Sequence, residues 1–432
     1  MRLLALLAAF ILTPMIASAQ LKIDITKGNV DPLPIAITGF TGDTANGASI
    51  TSVVSANLER SGLFRPISSS AFIEQVSNGD QVPRFADWRQ INAQAIVTGT
   101  VTQVGPDRLK VSFRLWDALA EQQVAGKEYN TFTRNWRRIA HLISDEIYKR
   151  MTGENGYFDS RIVYVSETGP ANRKIKRLAI MDQDGENHKY LTDGRSLVLT
   201  PRFSPNTQEI LYMSYAGRQP RVFLRDLQTG REESLGRFDG ISFAPRFNHD
   251  GSRMLMSIAK GGTTNIFEMD LRSRQMRQLT NGRGTIDTSP SYSPDGSQIV
   301  FNSDRGGSQQ LYTMDANGGN VQRISFGTGN YGTPVWSPRG DLIAFTKITG
   351  GQFYIGVMRS DGSGERLLTQ SWLDEGPSWA PNGRVLIFSR EFPGRGGSRA
   401  RLYSVDITGH NLREVITPTD ASDPAWSPLL PM

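Results

Sequence analysis

The stretch Pro290-Ser-Tyr-Ser-Pro-Asp-Gly-Ser-Gln-Ile-Val-Phe-Asn-Ser303 decides the fold of more than half the chain. A proline stands two residues before an aromatic, Ser293-Pro294-Asp295-Gly296 forms a tight turn, and an apolar run follows. Proline presets φ for such a turn and glycine accepts positive φ without steric cost. The run Gln298 to Ser303 has the composition of a strand buried on both faces. After a polar, Gly-rich loop, Gln310-Leu-Tyr-Thr-Met-Asp315 reads as a third strand. Gly318-Gly319 then turns into a fourth, Val321 to Ser325.

The same opening recurs at Pro201, Pro245, Pro334, Pro377 and Pro424, with 43 to 47 residues between consecutive prolines. In β-rich sequence that period marks the blades of a β-propeller. The third strands carry Asp182, Asp226, Asp270, Asp315 and Asp406 at matching places, with Arg359 in the fifth copy. Third strands count six, yet the last opening is only the fragment Pro424-Ala-Trp-Ser-Pro428. Its missing second strand stands at the front of the repeat region, as Arg161-Ile-Val-Tyr-Val-Ser166. The expectation is an all-β six-bladed propeller over residues 154–432. The terminal strand pairs into the first blade, removing edges that would otherwise invite aggregation.

Residues 34–153 read as an α/β domain. Pro34 to Phe40, Ala95 to Val101, Arg108 to Trp116 and Gln122 to Tyr129 are predicted strands, and Ser49 to Arg60 a helix. Ile139, Leu142, Ile143, Ile147 and Met151 follow the helical period over Asn135 to Met151, which ends at Thr152-Gly153. Ahead of this domain, Leu21-Lys-Ile-Asp-Ile-Thr-Lys27 alternates apolar and polar residues. It reads either as an edge strand of the α/β domain or as a detachable strand that adds to a partner's sheet. The first 19 residues have the charged start, apolar run and Ala17-Ser18-Ala19 ending of a cleaved signal peptide, so an exported, soluble protein beginning near Gln20 is expected.

Composition narrows the function. The chain has no cysteine and four scattered histidines, His141, His188, His249 and His410, which argues against zinc or iron–sulfur centres. The net charge of +6 reads as a solvated basic surface and not a nucleic-acid site, given the export signal. Gly327-Thr-Gly-Asn-Tyr-Gly332 matches a dinucleotide motif but joins two predicted propeller strands and opens no helix. Asp182-Gln-Asp-Gly185 has its glycine in the wrong place for a calcium loop. His141 falls in a predicted helix and reads as structural. No P-loop, zinc-protease motif or nucleophile elbow occurs, so no catalytic residue, cofactor or metal is assigned and the protein reads as a non-enzyme. Propellers also precede prolyl-oligopeptidase-type domains, but no hydrolase domain follows Pro428 here.

Several stretches resemble the TolB family of Tol-Pal system periplasmic proteins across nearly the whole chain. They are Leu58-Glu-Arg-Ser-Gly-Leu-Phe-Arg-Pro66, Asp87-Trp-Arg-Gln-Ile-Asn-Ala-Gln-Ala-Ile-Val-Thr-Gly99, Ala140-His-Leu-Ile-Ser-Asp-Glu146, Leu373-Asp-Glu-Gly-Pro-Ser-Trp-Ala-Pro-Asn-Gly383 and Pro424 to Pro428. Arg359 and the Gly/Arg-rich loop Pro393 to Arg399 depart from that pattern. The resemblance implies a periplasmic, monomeric, non-enzymatic adaptor, bound to neither nucleic acid nor metal and not spanning the membrane. Its implied partners are the inner-membrane component TolA and the outer-membrane lipoprotein Pal, in a system that keeps the outer membrane intact and draws it inward at division. It places TolA on residues 20–33, here Gln20, Leu21, Lys22, Ile23, Asp24, Ile25 and Thr26, and Pal on one propeller mouth. The blade logic singles out the mouth formed by the loops before the repeat prolines: Phe238 to Ala244, Thr285 to Ser289, Tyr331 to Thr333, Trp372 to Gly376 and Thr419 to Asp423. Ile241, Ala244, Asp287, Thr288, Thr333, Asp374, Glu375 and Asp423 are the candidate contacts, an interface of apolar anchors with an acidic rim. A propeller scaffold binding a glycan or other cell-wall ligand is the alternative, and a remnant of a peptidase propeller a third reading.

Overall fold

In the computed structural model, residues 21–25, 31–206, 208–217, 219–394 and 397–431 are described. The expected leader, Gln20 and Thr26 lie outside them. Among the described residues, no helix is long and apolar enough to cross a membrane.

The front domain is a mixed sheet of β1 (Leu33–Ile37), β2 (Thr41–Gly42), β3 (Phe64–Pro66), β4 (Ala95–Gly105), β5 (Arg108–Asp117) and β6 (Gln122–Phe132). Its order is β3-β1-β4-β5-β6, with β2 also on β4. Period-two alternation splits the strands between two cores. Ile35, Ile37, Ala95 and Val97 share one core with helices α1 (Thr44–Arg60) and α3 (Trp136–Thr152). Ala36 and Ile96 share the other with Phe85 and Trp88 of the short helix α2 (Phe85–Gln90). Helix α1 begins five residues earlier than its apolar pattern suggests. Asp43 caps it by accepting a hydrogen bond from the Asn46 amide at 3.1 Å, a start that Asn46-Gly47 obscures in sequence. Helix α3 ends as expected, on Gly153 in the left-handed region at φ 82°.

The rest is a propeller of six four-stranded antiparallel blades. Their innermost strands are Val198–Phe203, Ile241–Phe247, Asp287–Tyr292, Asn330–Trp336, Asp374–Trp379 and Asp420–Trp426, which define blades one to six in that order. In blade six Asp420–Trp426 pairs with Arg161–Thr168, placing Ala425 opposite Val163 and Trp426 opposite Ile162. The ring therefore closes through strands from the two ends of the repeat region.

The innermost strands start earlier than expected, which corrects the sequence reading of Phe238 to Ala244 and its counterparts as loops. Each strand enters ahead of the repeat proline and passes it through a bulge. The residue before the proline sits at positive φ in every blade: Thr200 at 47°, Ala244 at 51°, Ser289 at 54°, Thr333 at 44°, Gly376 at 67° and Asp423 at 50°. Proline lacks a ladder donor and is tolerated within sheets mainly at edges and bulges. The bulge reconciles the proline with a strand that hydrogen-bonds on both sides of it.

Candidate partner-binding sites

The propeller presents two unlike faces. One carries the turns between first and second strands and between third and fourth, and the front domain sits on it. Arg137 of α3 reaches Asp184 at 2.5 Å, and Gln183 donates to the Asn57 side-chain carbonyl at 3.0 Å. Asn411 and Arg413 both donate to the Arg60 carbonyl, at 2.9 and 3.1 Å. Arg339 pairs with Glu154 at 2.5 Å, and Asn382 donates to the Asn155 carbonyl at 3.2 Å. The opposite face, where strands enter from the fourth strand of the preceding blade, is clear of these contacts.

His141 lies inside this junction. Its Nδ1 is 2.9 Å from Asn57 Nδ2, and its Nε2 lies 3.9 Å from carboxylate oxygens of Asp182 and of Asp184. The three residues bring potential ligand atoms together, but Arg137 already neutralises Asp184 and also approaches Asp182 at 3.9 Å. Burial pushes the imidazole down to about 4, so it is neutral at ordinary pH. The cluster acts as a polar fastener between domains.

The clear mouth carries several exposed large apolar side chains. Ile241, Ile286 and Trp372 are among them, and Phe326 is the most exposed at 74%. Such a concentration on one face is the usual mark of a protein-binding surface. Phe326 was missed in the sequence because an isolated aromatic after a short fourth strand carries no periodic signal. Its ring does carry the Arg323 guanidinium, 5.4 Å from its centroid.

The expected acidic rim needs correction. Asp287 and Asp374 are fully buried. Arg305 donates to Asp287 at 2.9 Å. Arg390 grips Asp374 with two bonds of 2.7 Å, and Thr369 adds a third of 2.7 Å. Arg305 comes from the connection between the second and third strands of blade three, whereas Arg390 stands in the second strand of blade five, directly opposite Asp374. Sequence separation of 18 and 16 residues hid that pairing. Glu375 and Asp423 remain accessible. Partial desolvation by the protein around it, and then the neighbouring Asp423 and Glu391 carboxylates, raise Glu375 from its ordinary value although its surface stays accessible. Ala244, Thr333 and Asp423 occupy the bulge ring, and Thr288 precedes it in blade three. Ile241 and Glu375 stand nearer the strand entrances.

Losing one partner of a buried ion pair leaves an uncompensated charge, which typically costs about 3–5 kcal/mol. Arg390→Ala should therefore lower the urea midpoint sharply while Glu375→Lys leaves it nearly unchanged. Equal midpoints for both variants would show that the Asp374 pair is not structural.

The amino-terminal segment does not form the edge strand considered above. Residues 21–25 have no strand structure and touch the α/β backbone at the Ile23 amide, which donates to the Met151 carbonyl at 2.8 Å. The alternation still governs burial. Ile23 and Ile25 are buried in the core cluster that also holds Met151, Tyr157, Ala380 and Val385, with Leu21 half-buried beside it. Lys22 and Asp24 face outward. Arg384 of blade five, paired with Asp406 at 2.7 Å, donates to the Ile25 carbonyl at 3.2 Å. The segment thus lies across the seam between the domains, held by two side chains and two backbone hydrogen bonds.

Comparisons with known proteins agree with this architecture. Residues 148–430 match the family described as the TolB beta propeller domain, and residues 21–124 the TolB amino-terminal domain. The Tol-Pal system protein TolB of Gluconobacter oxydans is 50% identical over 428 residues, covering 96% of this chain and 92% of that one. The crystal structure of TolB from Acinetobacter baumannii superposes with a TM-score of 0.81 at 31% identity, over 95% of this chain and all of that one. A putative TolB from Agrobacterium tumefaciens, 20% identical with a TM-score of 0.50, covers 61% of this chain and 90% of its own and shares the fold alone.

Proposed function

Because the chain belongs to the TolB family and so to the Tol-Pal system, we propose that it is a non-enzymatic periplasmic adaptor between TolA and Pal. Residues 1–19 direct export, residues 20–33 carry the TolA site, and the clear propeller mouth receives Pal. In this role the protein helps keep the outer membrane attached and drawn inward at division. One observation carries the Pal assignment. The front domain occupies part of one propeller face, at blades four to six, leaving the other face free of it, with exposed Ile241, Ile286, Phe326 and Trp372 beside Glu375 and Asp423. Interfaces draw most of their energy from a few such aromatic and aliphatic anchors ringed by polar groups.

Binding of purified Pal to the full mature protein tests the reading. Truncating an anchor typically costs about 2 kcal/mol or more in affinity, so Trp372→Ala should weaken Pal at least tenfold. Ile241→Asp should do the same, and Glu375→Lys should change the salt dependence of association. These substitutions replace exposed groups, so the melting temperature should hardly move. Unchanged Pal affinity in all three would place the site elsewhere. Retention of the protein on peptidoglycan fragments, with no binding of Pal, would favour the glycan-binding scaffold.

A further inference from the structure

Inside the ring, the residue after each repeat proline lines the channel: Arg202, Arg246, Ser291, Val335, Ser378 and Ala425. Two adjacent blades supply arginine and the other four supply small or apolar groups. Together with the turns below them they enclose a cavity of about 350 Å³. This is at the small end of ligand pockets, which run from roughly 300 to 1,000 Å³. The cavity opens among Pro205, Pro294, Pro338, Pro381 and Pro428, on the face opposite the exposed apolar mouth.

The two guanidinium groups are unevenly compensated. Arg202 donates to the Pro201 carbonyl at 2.7 Å and has the Asp423 carboxylate in its vicinity. Arg246 makes no side-chain hydrogen bond or ion pair with a described residue, and the charge it feels most is the like charge of Arg202. It is half-buried in the channel wall, with a path to solvent through the cavity. A guanidinium stays protonated at physiological pH. Two of them in one confined channel, with a single carboxylate near one, leave unspent positive charge. Elsewhere in the ring, Arg305 and Arg390 each have a buried aspartate of their own.

Two further donors line the same space. Ser291 Oγ accepts from the Trp336 amide at 3.3 Å, and Ser378 Oγ from the Trp426 amide at 3.0 Å. Each hydroxyl proton then remains to be donated, and each side chain borders the cavity. Planar guanidinium groups paired with hydroxyl donors match carboxylate and phosphate oxygens. We propose that the propeller channel binds a small, doubly charged oxyanion, held by Arg202 and Arg246 with the hydroxyls of Ser291 and Ser378. A phosphate compound and a dicarboxylate share that chemistry.

Calorimetric titration of the full mature protein with inorganic phosphate, pyrophosphate and succinate tests the site. At least one probe should bind saturably at one site, more weakly as salt rises. Phosphate and pyrophosphate binding without succinate would identify a phosphate site, and the converse a carboxylate site. Arg246→Gln and Arg202→Gln should each weaken the binding at least tenfold, while Arg195→Gln, at an exposed arginine, should not. Arg246→Met separates a ligand site from a structural one. Removing an unpaired charge should raise the melting temperature in anion-free buffer while abolishing the titration signal. The proposal is overturned if no probe binds the native protein, if binding survives both glutamine variants, or if Arg246→Met melts lower.

Discussion

A chain lacking residues 424–432 should aggregate or unfold at temperatures where the full chain stays folded. The deletion removes few residues but takes the lower half of the strand that closes the ring. Trp426 is nearly buried, packs edge-on against Tyr157 with centroids 5.7 Å apart, and donates through Nε1 to Ser160 Oγ at 2.8 Å. Its amide donates to Ser378 Oγ of blade five, so one residue ties the closing blade to its neighbour and to the domain linker. Ser427 exchanges bonds of 2.8 Å with the Arg161 backbone through both its amide and its hydroxyl. Leu430 and Pro431 complete the seal, the first donating to the Asp159 carbonyl at 2.9 Å and the second accepting from Arg138 at 2.6 Å.

Losing the tryptophan alone costs about 3–5 kcal/mol by the usual measure of large core truncations. Domains are typically stable by only about 5–15 kcal/mol. The deletion also exposes the inner edge of Arg161–Thr168, a ready template for another chain. Trp426→Ala is the milder companion variant, expected to remain folded with a lower melting temperature. A truncated protein that melts cooperatively at the same temperature as the full chain would show that the ring does not depend on this closure.

The repeat made most of this legible. The proline and aromatic spacing, the count of third strands and the orphan strand Arg161 to Ser166 fixed blade number and closure before any coordinates. What a linear pattern could not carry was the pairing of distant charges. Asp287 and Asp374 look like surface carboxylates in sequence, and only the fold brings Arg305 and Arg390 over them. The bulge was hidden for a different reason. A residue before proline is ordinarily extended, so Thr200, Ala244, Ser289, Thr333 and Asp423 gave no sign of positive φ. Gly376, at the same place in blade five, was the one residue type that hinted at it. The channel arginines were visible as the repeated Pro-Arg-Phe of blades one and two, but their lack of partners was not. The amino-terminal segment was legible in its buried positions and not in its form. Alternation sets which side chains point inward, whereas a strand needs backbone pairing along a sheet edge, and the Ile23 amide bonds instead to the Met151 carbonyl of α3.

That segment sets up the second large effect. Ile23→Asp should expel residues 21–25 from the seam, because a carboxylate would replace a side chain only 5% exposed in an apolar cluster. An isolated charge in such a place is strongly disfavoured, and releasing the segment avoids the cost. The remaining anchors include Ile25, half-buried Leu21, the Ile23 amide bond to Met151 and the Arg384 bond to the Ile25 carbonyl. None of them holds the α/β sheet or the propeller together, so the melting temperature should fall little. If TolA takes this segment by strand addition, Leu21, Ile23 and Ile25 are needed on the buried face of the new sheet as well. Ile23→Asp and deletion of residues 20–26 should then both abolish TolA binding and leave Pal binding at the clear mouth intact. Arg384→Ala is the discriminating variant. It removes a contact of the docked state and none of the TolA-bound strand, so it should raise TolA affinity by shifting the population toward the released segment. Because it also leaves buried Asp406 without its partner, its melting temperature should fall, and affinity is compared where the variant is still folded. Hydrogen exchange over residues 20–31 reads that population directly, with and without Pal. Faster exchange and tighter TolA binding in Arg384→Ala would make the seam a restraint on the segment. Unaltered exchange together with unaltered TolA affinity would reduce it to a static tail, with docking and recognition independent of each other.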